Sequence, residues 1–355
     1  MGGNIAFGSH KADRIDLRQV PRKEIVATIT TSLLLVNAAF KREYKIDLWY
    51  QEINHYLSGS SDALFDKKIK DTDFVGVKPT VGDIDVQVNE ALYKELTMFL
   101  LKYRSVKLGD LTLIDIKHST DQIITLWRST KFQINIQIDF ELVRFKGSKP
   151  NEWSRFSRSS HWDDMTKGIK GVAHKYIMRA AVGANRNEVV IRAKTKRSKD
   201  KITIDSEKAF SLKGIRDKLS AARDEHGNHI FQNGLPVYDV IDTKEAAYVQ
   251  DIDIIFSTMF GRDMTPADKA AMQSFSGIVG LMKKYLKKVD IEKIVDRFAD
   301  LLWGPQGQML YARNAKQDFD EKELMFNLIA QELKINPDKY KEMKRAYYTK
   351  YKLEM

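Results

Sequence analysis

The sequence predicts an α+β protein: a mixed or antiparallel sheet with helices on one side, flanked by helical regions at both ends. Three observations lead there. Polar and apolar residues alternate through Gly82-Asp83-Ile84-Asp85-Val86-Gln87-Val88, and again through Gln133–Leu142, where every even position from Ile134 to Leu142 is apolar. That is the period of a strand with one buried face. Ile25, Ile29, Leu33, Val36 and Phe40 recur at helical spacing near the start of the chain, and from Pro266 onward the helical period dominates again.

In chain order, residues 24–57 read as helices, with a break near Tyr44–Asp47 and the pattern resuming through Leu48, Trp49, Ile53 and Tyr56. Residues 58–80 have the texture of a loop, opened by Ser58-Gly59-Ser60-Ser61 and closed near Lys78-Pro79. The Gly82–Val88 strand follows, then a helix over Ala91–Tyr103 and extended runs at Leu111–Lys117, Gln122–Arg128 and Phe132–Arg144. Only one helix interrupts these strands, which favours hairpin-linked or mixed pairing over a purely parallel sheet. Beyond Arg144 the expectation is a helix over Thr166–Ala181, strands near Glu188–Ala193 and Lys201–Ile204, a turn at Gly227-Asn228, and extended structure near Val237–Ile241 and Val249–Phe256. Phe275, Ile278, Met282, Leu286, Ile294, Phe298 and Leu301 mark a C-terminal helical module, with a last helix or two from Glu321 to Lys352.

The chain has 355 residues, 43% of them apolar and 30% charged, enough to build a core and too apolar for whole-chain disorder. No cysteine is present, which removes disulfides, thiolate zinc sites and cysteine nucleophiles and makes a reducing cytoplasm the expected location. The N-terminus lacks a secretory pattern. The longest apolar stretch, around Leu33–Phe40, falls short of the ~20 residues a bilayer span needs, so no membrane association is expected. The net charge of +11 is local: residues 141–220 hold 20 Lys/Arg against 9 Asp/Glu, and the remainder of the chain is neutral. A cationic segment of that kind suits a polyanionic partner, although a solvated lysine-rich face has the same composition.

The strongest chemical signal is acidic. On a strand, Asp83, Asp85 and Gln87 face one way while Ile84, Val86 and Val88 face the core. Two residues of rise separate the Asp83 and Asp85 stems by ~6.5–7 Å, within reach of two divalent ions ~3.5–4 Å apart. Adjacent carboxylates repel, and a hard cation relieves that repulsion. Asp139 and Glu141 lie on the polar face of the Gln133–Leu142 strand. If the two strands are neighbours, three carboxylates converge, with Asp139 the expected third acid and Glu141 a solvated neighbour.

A Gly-Ser turn, an Asp-x-Asp strand and a single acid on a later strand resemble the polymerase-beta-like nucleotidyltransferase superfamily. The matching residues are Gly59-Ser60, Asp83-Ile84-Asp85 and Asp139, spread over Ser58–Arg144, about a quarter of the chain. The resemblance implies a nucleoside triphosphate donor, two Mg²⁺ ions (or Mn²⁺), and transfer of a nucleoside monophosphate with pyrophosphate leaving. It implies that Asp83 and Asp85 hold both metals, that Asp139 binds the one activating the attacking hydroxyl, and that Gly59 and Ser60 meet the terminal phosphates through backbone N–H and hydroxyl groups. Ser60 precedes Asp83 by 23 positions, longer than the family's compact spacing, which an insertion across Asp66–Gly76 would explain. An ordinary turn or helix cap is the other reading of Gly59-Ser60. On this view residues 1–57 pack on a catalytic core at 58–145, residues 146–265 contact substrate, and residues 266–355 form a helical module.

Lys167, Lys170, Gly171 and His174 would share one face of the Thr166–Ala181 helix, placing Lys167 and Lys170 against the nucleotide or, equally, against solvent. Arg192, Lys194, Lys196, Arg197 and Lys199 form the densest basic run, suited to salt-sensitive contacts with nucleic-acid phosphates. Trp153, Phe156 and Trp162, interleaved with Arg155 and Arg158, could stack on bases or fill the core. A second pair, Asp251-Ile252-Asp253 on an extended run, has no upstream Gly-Ser and reads as structural. No His-Glu-x-x-His, Gly-x-Ser-x-Gly or phosphate-binding Gly-x-x-x-x-Gly-Lys motif is present. The expected acceptor is RNA, including a tRNA 3′ end, or DNA. The alternatives are nucleotidylation of a protein or small molecule, and a non-catalytic nucleic-acid-binding protein.

Overall fold

The computed structural model describes residues 6–7, 10–119, 121–158, 160–169, 171–183, 189–193, 202–211, 214–219, 226, 231–232, 235–236, 249–304 and 315–351. The chain divides into two units, Met1–His174 with Gln273–Phe275, and Lys175–Met272 with Ser276–Met355.

The first unit opens with three two-residue strands, β1 (Ala6–Phe7), β2 (His10–Lys11) and β3 (Ile15–Asp16), before helix α1 (Arg22–Tyr44). Ile25, Ile29, Leu33, Val36 and Phe40 of α1 are all buried, as their spacing predicts. Leu48, Trp49, Ile53 and Tyr56 are buried too, but only Ile53–Tyr56 is helical, as a single 3₁₀ turn. Among the described residues α1 is long and apolar enough to cross a bilayer, although no apolar stretch within it reaches that length. Its buried face is part of the core under the sheet.

The 58–80 segment is not the loop its composition predicts. It holds helices α2 (Gly59–Phe65) and α3 (Asp71–Val77), followed by the short strand β4 (Thr80–Val81). Then come β5 (Asp83–Asn89), α4 (Tyr93–Lys102), β6 (Lys107–Leu108), β7 (Leu111–His118), β8 (Gln122–Ser129) and β9 (Asn135–Val143). The sheet order is β5-β9-β8-β7-β6. Only β5 and β9 pair in parallel; the other neighbours are antiparallel hairpins. Mixed pairing follows from connection length: α4 and the β6–β8 meander supply the crossover that a parallel pair requires. Ile84, Val86 and Val88 of β5, and Ile136, Ile138 and Phe140 of β9, point into the core against Leu96, Phe99 and Leu100 of α4. Ile124 and Leu126 of β8 pack with Phe7 and Ala12 in a second cluster. The hairpin β10 (Phe145–Lys146) and β11 (Lys149–Pro150) leads to the short helices α5 (Glu152–Ser157) and α6 (Trp162–Thr166).

The second unit contains most of α7 (Gly171–Ala181), the antiparallel meander β12 (Val189–Ala193), β13 (Ile202–Ser211) and β14 (Gly214–Leu219), and the small pair β15 (Phe231–Gln232) and β16 (Leu235–Pro236). The Gly227-Asn228 turn and the Val237–Ile241 run lie outside the described residues. The extended structure predicted for Val249–Phe256 is confined to a bridge at Val249. Helix α8 (Ile252–Phe260) takes the rest, because Asp251 caps it by accepting from the Asp253 and Ile254 amides at 2.9 and 3.1 Å. Ile252, Ile255, Phe256, Met259 and Phe260 then fall on one buried face.

The helical module follows as α9 (Pro266–Ala271), α10 (Phe275–Tyr285), α11 (Lys288–Trp303), α12 (Ala315–Leu333) and α13 (Lys341–Tyr351). Lys322 of α12 is fully buried. Its Nζ donates to the Leu302 carbonyl at 2.8 Å and to Tyr347 Oη at 2.6 Å, tying α11, α12 and α13 together.

Candidate metal centre

Parallel pairing sets the register. Asp83 lies beside Gln137, Asp85 beside Asp139 and Gln87 beside Glu141, so the polar faces of β5 and β9 form one surface. Asp83, Asp85 and Asp139 each place a carboxylate oxygen within 4.8 Å of the others. Asp83 and Asp139 are buried and Asp85 keeps part of its surface exposed. Glu141 also belongs to this face.

Burial and mutual repulsion act together on these acids. Burial raises the Asp85 carboxyl well above the ordinary range, and the Asp83, Glu141 and Asp139 charges raise it further. Burial, then the Asp83 charge, pushes Asp139 up to about 7, against the pull of hydrogen bonds from Gln137. Gln137 Nε2 donates to both Asp139 oxygens, at 2.9 and 3.1 Å, and fixes the orientation of that carboxylate. Three clustered hard oxygen donors that resist ionising together could hold a metal ion.

The repulsion has a measurable consequence for stability. An Asp139 raised from 3.8 to about 7 makes the metal-free folded state bind a proton that the unfolded chain has released. Stability is therefore greatest below about pH 4 for this group and declines as pH rises through about 7. The full linkage is on the order of 4 kcal/mol at most. Urea unfolding in chelator should show wild type losing stability between pH 5 and 8 relative to Asp139→Asn. Added Mg²⁺ should restore wild type and leave the variant unmoved. A wild type that follows the same pH curve as Asp139→Asn would count against mutual repulsion.

The Gly-Ser segment lies against this cluster. Leu57 bridges Val86, the Ser58 amide donates to the Asp85 carbonyl at 3.2 Å, and the Asp85 amide donates to Ser61 Oγ at 2.9 Å. Gly59 has φ +57°, and a Cβ there would stand 2.7 Å from Asp85 Oδ2. Glycine is required twice over, by conformation and by space. Its N–H donates to the Arg158 carbonyl at 3.0 Å. Ser60 Oγ accepts from Lys78 Nζ. Gly59→Ala should cost about 1–2 kcal/mol in backbone conformation and displace Asp85. A melting-temperature titration should then lose most of the Mg²⁺-dependent rise seen in wild type; an undiminished rise would refute the close approach.

Glu141 is not the solvated neighbour that sequence suggests. It is buried, forms an ion pair with Arg158, and accepts a hydrogen bond from Ser58 Oγ. The side chain of Arg158 is 3% exposed. The pair fastens the start of the Gly-Ser segment to β9. Its acidic half is visible in the strand alternation; its basic half, on a later loop, carries no sequence signal.

Lys167 and His174 do not share one helical face, because α6 ends at Thr166, Gly168 adopts φ +78°, and His174 lies on α7. Lys167 is exposed and His174 is buried; Lys170 lies outside the described residues. Trp153 and Phe156 are core residues, and Trp162 stacks on Phe74 at 5.8 Å, so these rings form no base-stacking platform. Arg192 is on β12; Lys194, Lys196, Arg197 and Lys199 lie outside the described residues. Asp251 and Asp253 serve the cap of α8. The chain matches no known protein family, no curated protein and no solved structure.

Proposed function

We propose that this protein is a metal-dependent nucleotidyltransferase that moves a nucleoside monophosphate from a triphosphate donor to an acceptor hydroxyl, on the polymerase-beta-like plan. The observation that carries the reading is the convergence of Asp83, Asp85 and Asp139 within 4.8 Å, on parallel neighbours, with a Gly-Ser segment against Asp85. A solvated acidic patch would not bury two of its carboxylates or pack a side-chain-free residue against the third.

In this reading Asp83, Asp85 and Asp139 are the ligands of the divalent ions. Bound Mg²⁺ or Mn²⁺ supplies Lewis acidity, easing loss of the acceptor's proton and neutralising the departing pyrophosphate. Gln137 holds Asp139 in one orientation. Gly59 keeps the space before Asp85 free of side-chain atoms. Glu141 and Arg158 anchor Ser58 and Gly59, so that the Gly-Ser segment and the acids keep a fixed spacing, which is where most of the rate gain from positioning originates. The net +11 of residues 141–220 supports RNA or DNA as the acceptor.

Incubation with α-labelled nucleoside triphosphates, Mg²⁺ and separate pools of RNA, DNA, protein and small molecules tests the reading. Label is expected on nucleic acid. Label on protein alone would move the acceptor, and no label in any pool would refute transfer.

A further inference from the structure

The face of the sheet that carries the acids is polar on β5 and β9 and apolar on β8. Antiparallel pairing sets Ile124 of β8 directly beside Asp139, and Leu126 directly beside Gln137. Paired residues point to one side of a sheet, so both apolar side chains stand on the acid face, about 5 Å from the β9 residues between Cα atoms. Both are buried. The fully buried ring of Phe7 lies on them with Ala12 and Ile114, in a cluster separate from the core under the opposite face.

Phe7 belongs to β1, whose partner β2 presents His10 and Lys11 to solvent. One residue of β9 ties this N-terminal arm down. The Asp13 amide donates to the Asn135 carbonyl at 2.9 Å, the Asn135 amide to Asp13 Oδ2 at 2.8 Å, and Asn135 Nδ2 to the Lys11 carbonyl at 3.1 Å. Asn135 shares the acid face of β9 with Gln137 and Asp139. The arm is thus fastened at Asn135 and sets its ring down on the β8 neighbours of Gln137 and Asp139. Asp139 itself is only 3% exposed.

We propose that this arm is an autoinhibitory cover, and that a single-stranded nucleic-acid acceptor must lift it to reach Asp139. This rests on the transferase reading of the acids and on its nucleic-acid acceptor. An acceptor hydroxyl has to come to Asp139, and the ring of Phe7 lies on the β8 side of that residue. A single ring in a small cluster is a contact that opens locally without unfolding the rest of the sheet. Lifting it uncovers Ile124 and Leu126, an apolar seat for the base that carries the hydroxyl. While the arm is down the seat is filled. The free protein therefore binds acceptor more weakly than its open form, in proportion to the fraction of molecules that are open.

Binding of a fluorescently labelled single-stranded RNA, read by anisotropy, and hydrogen exchange at the Asp13 amide test this without requiring turnover. Phe7→Ala removes the ring. Asp13→Ala, at an exposed position, loosens the tie to Asn135 and keeps the ring, so it carries the test if Phe7→Ala unfolds. The folded variants are expected to bind the RNA about tenfold more tightly than wild type, because opening no longer opposes binding. A ring that only fills space would give the opposite sign. In wild type, RNA should speed exchange at the Asp13 amide. Equal or weaker RNA binding by the folded variants, slower Asp13 exchange with RNA, or no RNA binding by any form would overturn the proposal. Tighter RNA binding by the variants, in a protein that labels no acceptor, would instead contradict the transferase reading and leave the cover standing.

Discussion

Asp85→Asn is expected to abolish nucleotide transfer, by on the order of 10³-fold or more, because losing one ligand charge removes several kcal/mol of transition-state stabilisation. The same change is expected to leave the metal-free protein at least as stable as wild type. Burial and the charges of Asp83, Glu141 and Asp139 all oppose the ionisation of Asp85. An amide of the same shape relieves that repulsion. The backbone bonds that hold the Gly-Ser segment, from Ser58 to the Asp85 carbonyl and from the Asp85 amide to Ser61, do not depend on the carboxylate. Asp83→Asn should likewise abolish transfer. Turnover near wild type in either variant would sink the assignment, as would Asp85→Asn unfolding under conditions where wild type is folded.

The second large effect is structural. Arg22→Met should destabilise the protein by about 2–4 kcal/mol, read from the urea midpoint, since it takes the guanidinium from the Leu64 and Ile69 carbonyls and removes one of two donors from those of Ala63 and Asp66. Arg22→Lys should rescue little, because three donors on a point cannot serve acceptors spread from Ala63 to Asp71. A loss under 1 kcal/mol would mean that the end of α2 and the start of α3 are held by something other than Arg22.

What could be read from the sequence follows from how local each signal is. Strand alternation is a two-residue property, and it placed Asp83, Asp85, Gln137, Asp139 and Glu141 on polar faces. It could not say that β5 and β9 are parallel neighbours, because that pairing spans the whole β6–β8 meander. The burial of Glu141 escapes the sequence pattern for the same reason. Alternation puts it on the polar face, and only the distant Arg158 and Ser58 make that face a buried one there. Polar, glycine-containing text at 58–80 reads as a loop, yet it folds as α2 and α3 because Arg22 satisfies the exposed carbonyls between them and Phe74 supplies a single buried anchor. In the predicted Thr166–Ala181 helix, periodicity concealed the left-handed Gly168 that splits it. At Asp251, strand texture hid a helix cap, although Ile252, Ile255, Phe256 and Met259 already carried the helical spacing.

The claim on which the rest depends is that the buried acids form a divalent-cation site. Mn²⁺ titration followed by electron paramagnetic resonance, in the presence of a non-hydrolysable nucleoside triphosphate, tests it most directly. Wild type should deplete the free Mn²⁺ signal saturably beyond what the nucleotide binds alone, and Asp85→Asn and Asp139→Asn should not. Equal depletion by wild type and both variants, or none by wild type, would contradict it.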